Sequence, residues 1–153
     1  MKIGFDLDGV LRDGSLGFLK LCLDLGLDKT GEALNIANMT LMRPLLNPFL
    51  FTTKDDEIYV VTNAIRTEDI EQKKNWVKHF LGDRVKLIIT QVATGNKWGR
   101  EYVDPVAIEK VRVLEKNGIE IYFDDDPAIV ETMRDLTSKV KILKYGSWID
   151  EYY

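Results

Sequence analysis

One cysteine, Cys22, and one histidine, His79, are all that the 153-residue chain has of either type. A lone thiol leaves no disulfide within the chain and excludes a Cys-rich zinc site. A lone imidazole excludes multi-His metal sites and disfavours Ser-His-Asp chemistry. No apolar run approaches the roughly 20 residues that span a bilayer. The opening Met1-Lys2-Ile3-Gly4-Phe5-Asp6 places an acid where a secretory leader carries its apolar stretch, so a cytoplasmic location is expected. Positive charge is not in excess either. The net charge of −4 gives no bulk attraction for nucleic acid and leaves only a local basic patch to supply one. What remains, 45% hydrophobic and 30% charged residues, is the balance of a soluble globular chain long enough for one self-sufficient core.

Five short β-branched or aromatic runs read as strands: Lys2–Asp6, Ile58–Thr62, Val85–Thr90, Ile119–Phe123 and Val140–Tyr145. Each is nearly continuous in apolar character, as strands covered on both faces should be. Helical patterns lie between them. Thr67 caps one that opens with Glu68 and Asp69, carries Trp76, Val77 and Phe80, and stops at Gly82. Asp104-Pro105 reads as a cap and first turn for a second, which ends at Asn117-Gly118; Pro127 opens a third through Ile129, Val130, Met133 and Leu136. The alternation predicts an α/β fold, a Rossmann-like three-layer sandwich with a five-stranded parallel sheet and right-handed crossovers. Residues 11–57 are too long for a plain βα connection, and Pro44 and Pro48 break any long helix there. They read as a small helical insertion after the first strand, a cap or flap within a single domain 1–153.

The chemistry-bearing signal is Phe5-Asp6-Leu7-Asp8-Gly9-Val10, two carboxylates just past the first strand. Ligands of open α/β sheets bind at the carboxyl ends of the strands, where strand order reverses. If the first strand is central, the fourth lies beside it and ends in Asp124-Asp125-Asp126. Two acidic clusters at adjacent strand ends repel unless a cation separates them, and oxygen-only donors suit Mg²⁺. The second strand ends in Thr62-Asn63, a hydroxyl and an amide suited to phosphate oxygens. The basic, Gly-rich loop Thr94-Gly95-Asn96-Lys97-Trp98-Gly99-Arg100 could neutralise charge on a transferring phosphoryl group. An EF-hand is excluded, since Val10, Leu11 and Gly17 stand where it needs an acid or amide, a glycine and a glutamate.

Taken together the chain resembles the haloacid dehalogenase superfamily of phosphotransferases. Asp6-Leu7-Asp8-Gly9-Val10 resembles the first motif of that family, Thr62 the second and Phe123-Asp124-Asp125-Asp126-Pro127 the fourth. The resemblance implies Asp6 as nucleophile, forming an aspartyl-phosphate, and Asp8 as the acid and base that serves leaving group and water. It implies Thr62, with Asn63, as phosphoryl binders, and Mg²⁺ held by Asp6, the Asp8 backbone carbonyl and Asp125, with Asp124 in support. The third motif departs from the family pattern, because Tyr102 and Val103 precede Asp104-Pro105 where a lysine is common. Lys97 is assigned that role, with Arg100 and Lys110 as rivals and Arg100 as a further substrate contact. The short insertion and the Asp-Asp-x-Pro motif are similar to those of deoxyribonucleotidases and of the phosphatase half of polynucleotide kinase-phosphatases. They imply a Mg²⁺-dependent phosphomonoester hydrolase acting on a small phosphorylated substrate, a nucleotide or a nucleic-acid phosphate end.

Plainer readings stand beside these. Asp126 starts a helix and can simply cap it, while Lys97 and Arg100 can be ordinary surface charges. His79 reads as a surface or capping residue, Cys22 and Trp76 as packing, and Trp98 as a ring folded onto its own domain. The competing function is a non-catalytic Mg²⁺ and phosphate-binding interaction module of the same fold, against which the intact Asp6 and Asp8 argue.

Overall fold

The computed structural model describes residues 1–13, 42–64, 67–92 and 100–145, except the side chains of Glu68 and Arg100. Five parallel strands, β1 (Lys2–Phe5), β2 (Glu57–Asn63), β3 (Val85–Thr90), β4 (Ile121–Asp124) and β5 (Lys141–Lys144), form one sheet in the order β3-β2-β1-β4-β5. The first strand is therefore central, as the sequence reading requires, and the order reverses between β1 and β4.

Alternation along the strands divides the core into two layers. Ile3 and Phe5 of β1 and Ile58 and Val60 of β2 face α1 (Thr67–Phe80), packing with Trp76, Val77 and Leu81. Tyr59 and Val61 point the other way, to α2 (Arg100–Asn117) and α3 (Pro127–Leu136), with Val106, Leu114, Val130 and Met133. The helices thus sandwich the sheet. His79 is exposed and Trp76 is buried, as expected.

Two boundaries differ from the sequence reading for physical reasons. The second helix does not begin at Asp104-Pro105. It begins at Arg100, with Pro105 inside it. Burial of Val103 on the same stripe as Val106 and Ala107 favours extending the helix backwards, which outweighs the backbone hydrogen bond that Pro105 forgoes. Likewise Ile119 and Glu120 precede β4, their amides taken by Leu114 O (3.0 Å) and Lys2 O (2.9 Å) as the chain leaves the helix through Gly118. Of the insertion 11–57, residues 14–41 lie outside the described residues, and with them Cys22 and the helices expected there. Its two ends are stitched together, Asp13 N to Arg43 O at 3.0 Å and Leu45 N to Leu11 O at 2.9 Å. Among the described residues no helix is long and apolar enough to cross a membrane.

One cross-sheet contact fixes the central strands. The fully buried Tyr122 of β4 lies across β1 and donates its hydroxyl to Val61 O of β2 at 2.7 Å. Gly4 makes this possible, since a Cβ there would stand 2.9 Å from the Tyr122 ring. Gly4→Val should therefore cost about 2–3 kcal/mol through overpacking, and Tyr122→Phe about 1 kcal/mol through the lost bond to a buried carbonyl. Urea denaturation measures both, and midpoints equal to the parent's would contradict this account.

Candidate active site

The chain past β1 is a tight turn pinned from both sides. Asp6 N donates to Phe123 O (2.8 Å), continuing the β1–β4 ladder one residue beyond the strand. Leu7, Val10 and Leu11 are driven into the core, so the polar residues between them stay at the sheet end. Gly9 N bonds Arg12 O (2.8 Å), while Leu11 N and Arg12 N both reach Leu7 O (2.9 and 3.0 Å). Gly9 has φ +83°, and a Cβ on it would overlap the Asp125 carboxylate. Only glycine permits both the left-handed turn and the close approach of the β4 acids.

On one side of the turn, negative charge is in surplus. Asp6, Asp124 and Asp125 are all buried, with carboxylate oxygens within 4.8 Å of one another. Lys110 answers them, 2.6 Å from Asp124 Oδ2 and 3.4 Å from Asp6 Oδ1. Asp124 is fully engaged, its other oxygen accepting Asp126 N at 3.1 Å, whereas Asp6 Oδ1 is buried without a hydrogen bond. Burial pushes Asp6 up to about 6, Lys110 pulling against it and Asp124 adding to it. Burial, then Asp124 and Asp6, pushes Asp125 up to about 9. Lys110 itself is raised because Asp124 and Asp6 outweigh its burial.

On the other side, positive charge is in surplus. Asp8 Oδ1 receives Arg12 Nε at 2.6 Å and Oδ2 is bonded by Lys73 Nζ, which also donates to Thr62 Oγ1 at 2.9 Å. Burial works to raise the Asp8 carboxyl, but Arg12 and Lys73 together hold it well below the usual carboxylate range. Arg12 is almost wholly buried beside Trp76, and its Nη1 has no partner among the described residues.

Of the residues singled out from sequence, Asp6, Asp8, Thr62, Asp124 and Asp125 converge on the ends of β1, β2 and β4. Asn63 is adjacent, but its amide braces the chain after β3, accepting Val92 N (3.0 Å) and Thr90 Oγ1 (2.9 Å). Asp126 caps α3, accepting Ala128 N and Ile129 N. Lys97 and Trp98 lie outside the described residues, and of Arg100 only its place at the start of α2 is described. Among the described residues the lysine that meets the nucleophile position is Lys110, the rival.

Sequence reading missed Lys73 and Arg12. For Lys73 a signal existed: it sits three and four residues before Trp76 and Val77, on the buried stripe of α1. Lys110 occupies the same kind of position among Val106, Ala107, Val111 and Leu114 of α2. A lysine on an otherwise apolar stripe is costly without a charge to meet, so it points to one. Arg12 carries no such pattern.

The donor set fits a divalent cation. All of its side-chain ligand atoms are carboxylate oxygens, one of them buried without a hydrogen bond among the described residues, and their surplus charge needs an opposite charge.

No model of a known protein family matches the chain, and no curated protein sequence does. A chain of the Pnkp1/Rnl/Hen1 RNA repair complex is similar with TM-score 0.53 and 14% identity, over 94% of this chain and 42% of that one. A second Pnkp1/Rnl/Hen1 structure gives 0.54 and 15%, over 95% and 47%. The HAD domain of the effector protein Lem4 from Legionella pneumophila, in an inactive mutant form, gives 0.49 and 17%, over 99% and 89%. This chain thus spans less than half the length of the two repair-complex chains. At these identities the likeness is one of fold: the chain shares an α/β sandwich with the repair-complex chains, and carries its own acidic turn after the central first strand.

Two outcomes follow. Gly9→Ala should lose about 1–2 kcal/mol to its left-handed backbone alone and weaken divalent-cation binding by displacing Asp125. Calorimetric titration with Mg²⁺ and a denaturation curve check the pair, and unchanged metal affinity would contradict it. Asp6 and Asp125 titrate above the ordinary 3.8, so the folded chain holds protons that the unfolded chain releases. The stability linked to them is full below about pH 4 and is lost as pH rises through about 6 and on towards about 9. The Tm in chelator should fall between about pH 5 and pH 9, with Mg²⁺ restoring more at the upper end, because bound metal replaces those protons. A flat metal effect across that range would contradict the assignment.

Proposed function

We propose that the chain is a Mg²⁺-dependent phosphomonoester hydrolase acting through an aspartyl-phosphate on Asp6. The observation that carries this reading is the buried cluster of Asp6, Asp124 and Asp125 at the ends of two adjacent strands, with Thr62 ending the next one. Asp6, the Asp8 backbone carbonyl and Asp125, with Asp124 behind it, would hold Mg²⁺. When bound, the metal supplies charge stabilisation to the transferring phosphoryl group.

The chain's own residues do the rest. Asp6 Oδ attacks phosphorus and the ester oxygen leaves with the proton of the substrate's monoanion, relayed by the ionised Asp8; water then hydrolyses the acyl phosphate as Asp8 takes its proton. Held ionised by Arg12 and Lys73, Asp8 is set for the second step. The Thr62 hydroxyl donates to a phosphoryl oxygen, and Lys110, between Asp6 and Asp124, neutralises charge where the third-motif lysine would. Residues 11–57 serve as a small cap of one domain. A small cap leaves room for a nucleotide or a nucleic-acid phosphate end in the cytoplasm, and the fold shared with a chain of an RNA repair complex supports that substrate class.

Hydrolysis of an aryl phosphate with and without Mg²⁺, beside Asp6→Asn, tests the reaction. Metal-dependent turnover that falls by at least about a thousandfold in the variant is expected. A folded parent that binds Mg²⁺ yet turns over neither aryl phosphate, a nucleoside monophosphate, a 3′-phosphorylated oligonucleotide nor a sugar phosphate would favour the interaction module instead. Preference for the sugar phosphate would overturn the nucleotide reading.

A further inference from the structure

The two helices that sandwich the sheet each send one buried lysine to the same sheet end, Lys73 from α1 and Lys110 from α2. Their settings are opposite. Lys110 faces a group of three carboxylates that it cannot neutralise alone. Among the described residues Lys73 pairs with one carboxylate, that of Asp8, which Arg12 already pairs at its other oxygen. One charge of the Lys73–Asp8–Arg12 group is therefore left over, and it is positive. Buried charge without compensation is expensive, and a buried ion pair is seldom kept for stability alone. Arg12 adds a buried Nη1 with no acceptor among the described residues, a second sign that this half of the site lacks an anion. The remaining contact of Lys73 is the Thr62 hydroxyl at 2.9 Å, the group placed to donate to a phosphoryl oxygen.

We infer that Lys73 is a second phosphoryl-binding residue, gripping the anion from the α1 face while Lys110 meets it from the α2 face. The site is then polarised along the sheet end. The half built on β1 and β4 takes the divalent cation, and the half built on Asp8, Arg12, Lys73 and Thr62 takes phosphoryl oxygens. A terminal phosphoryl group, with its full charge and three free oxygens, suits both lysines together better than a singly charged diester does. This inference rests on the proposed phosphoryl chemistry but concerns binding, so the two can fail separately.

The probe is inorganic phosphate, titrated calorimetrically in saturating Mg²⁺ and also measured as an inhibitor of aryl phosphate hydrolysis. Lys73→Met keeps the apolar stem in the α1 stripe and removes the charge. It should weaken phosphate binding at least about tenfold and raise KM for the aryl phosphate comparably, the loss expected of one charge-assisted hydrogen bond. Mg²⁺ affinity without phosphate should stay within about threefold, because Lys73 touches none of the three clustered carboxylates. Lys73→Arg keeps the cation and should retain phosphate binding within about threefold. It also carries the test should the methionine variant fail to fold, since phosphate binding lost in a folded Lys73→Arg would contradict the inference. Folded Lys73→Met that binds phosphate like the parent would overturn it, leaving Lys73 a structural partner of Asp8. A parent that binds Mg²⁺ and phosphate but hydrolyses nothing would overturn the hydrolase reading and leave this one standing.

Discussion

Too many buried carboxylates for the cations beside them is the constraint on which this structure turns. Asp6, Asp124 and Asp125 are brought together by the β1–β4 pairing, and among the described residues Lys110 is the cation that pairs with them. In a low-dielectric setting that imbalance costs more than the packing around it can readily offset, so the site calls for a cation. Burial raises the Asp6 and Asp125 carboxyls, the neighbouring acids add to it, and the protons held there stand in for metal. The fold is arranged to keep the acids close in spite of their repulsion. Tyr122 ties β4 across Gly4 to β2, and Gly9 turns the chain where no side chain fits.

Opposite this acidic half, Arg12 and Lys73 overfill Asp8 with positive charge. Separation of the two surpluses within one turn, Asp6 on one side and Asp8 on the other, gives the site its direction. A bound cation and a bound anion each relieve the half that lacks them. That pairing, more than any single residue, is what makes phosphoryl chemistry the natural reading of the geometry.

Much of this was legible in the sequence because it rests on local pattern. The nearly continuous apolar runs gave strands to within two residues, and Asp6, Asp8, Thr62, Asp124 and Asp125 sit at strand ends that the α/β rule marks as ligand-binding. What was not legible depended on long-range packing. Pro105 reads as a helix start, yet burial of Val103 carries the helix back to Arg100. The basic partner was sought in the loop at Lys97, because loops commonly carry function, whereas Lys110 and Lys73 reach the site from within helices. Both stand on apolar stripes, where a charged residue is read too readily as a flaw in the pattern. Arg12 follows two apolar residues in an acidic turn, and only the fold shows that it bends back to Asp8.

The central claim is that Asp6 accepts a phosphoryl group beside a divalent cation, and it can be tested without knowing the substrate. Beryllium trifluoride mimics a phosphoryl group on a carboxylate, and ¹⁹F NMR distinguishes bound from free fluoride species. Bound resonances should appear only when Mg²⁺ and beryllium fluoride are both present, and should vanish in Asp6→Asn. Absence of bound resonances in the folded, Mg²⁺-loaded parent, or their persistence in Asp6→Asn, would contradict the assignment of Asp6 and with it the account built on that residue.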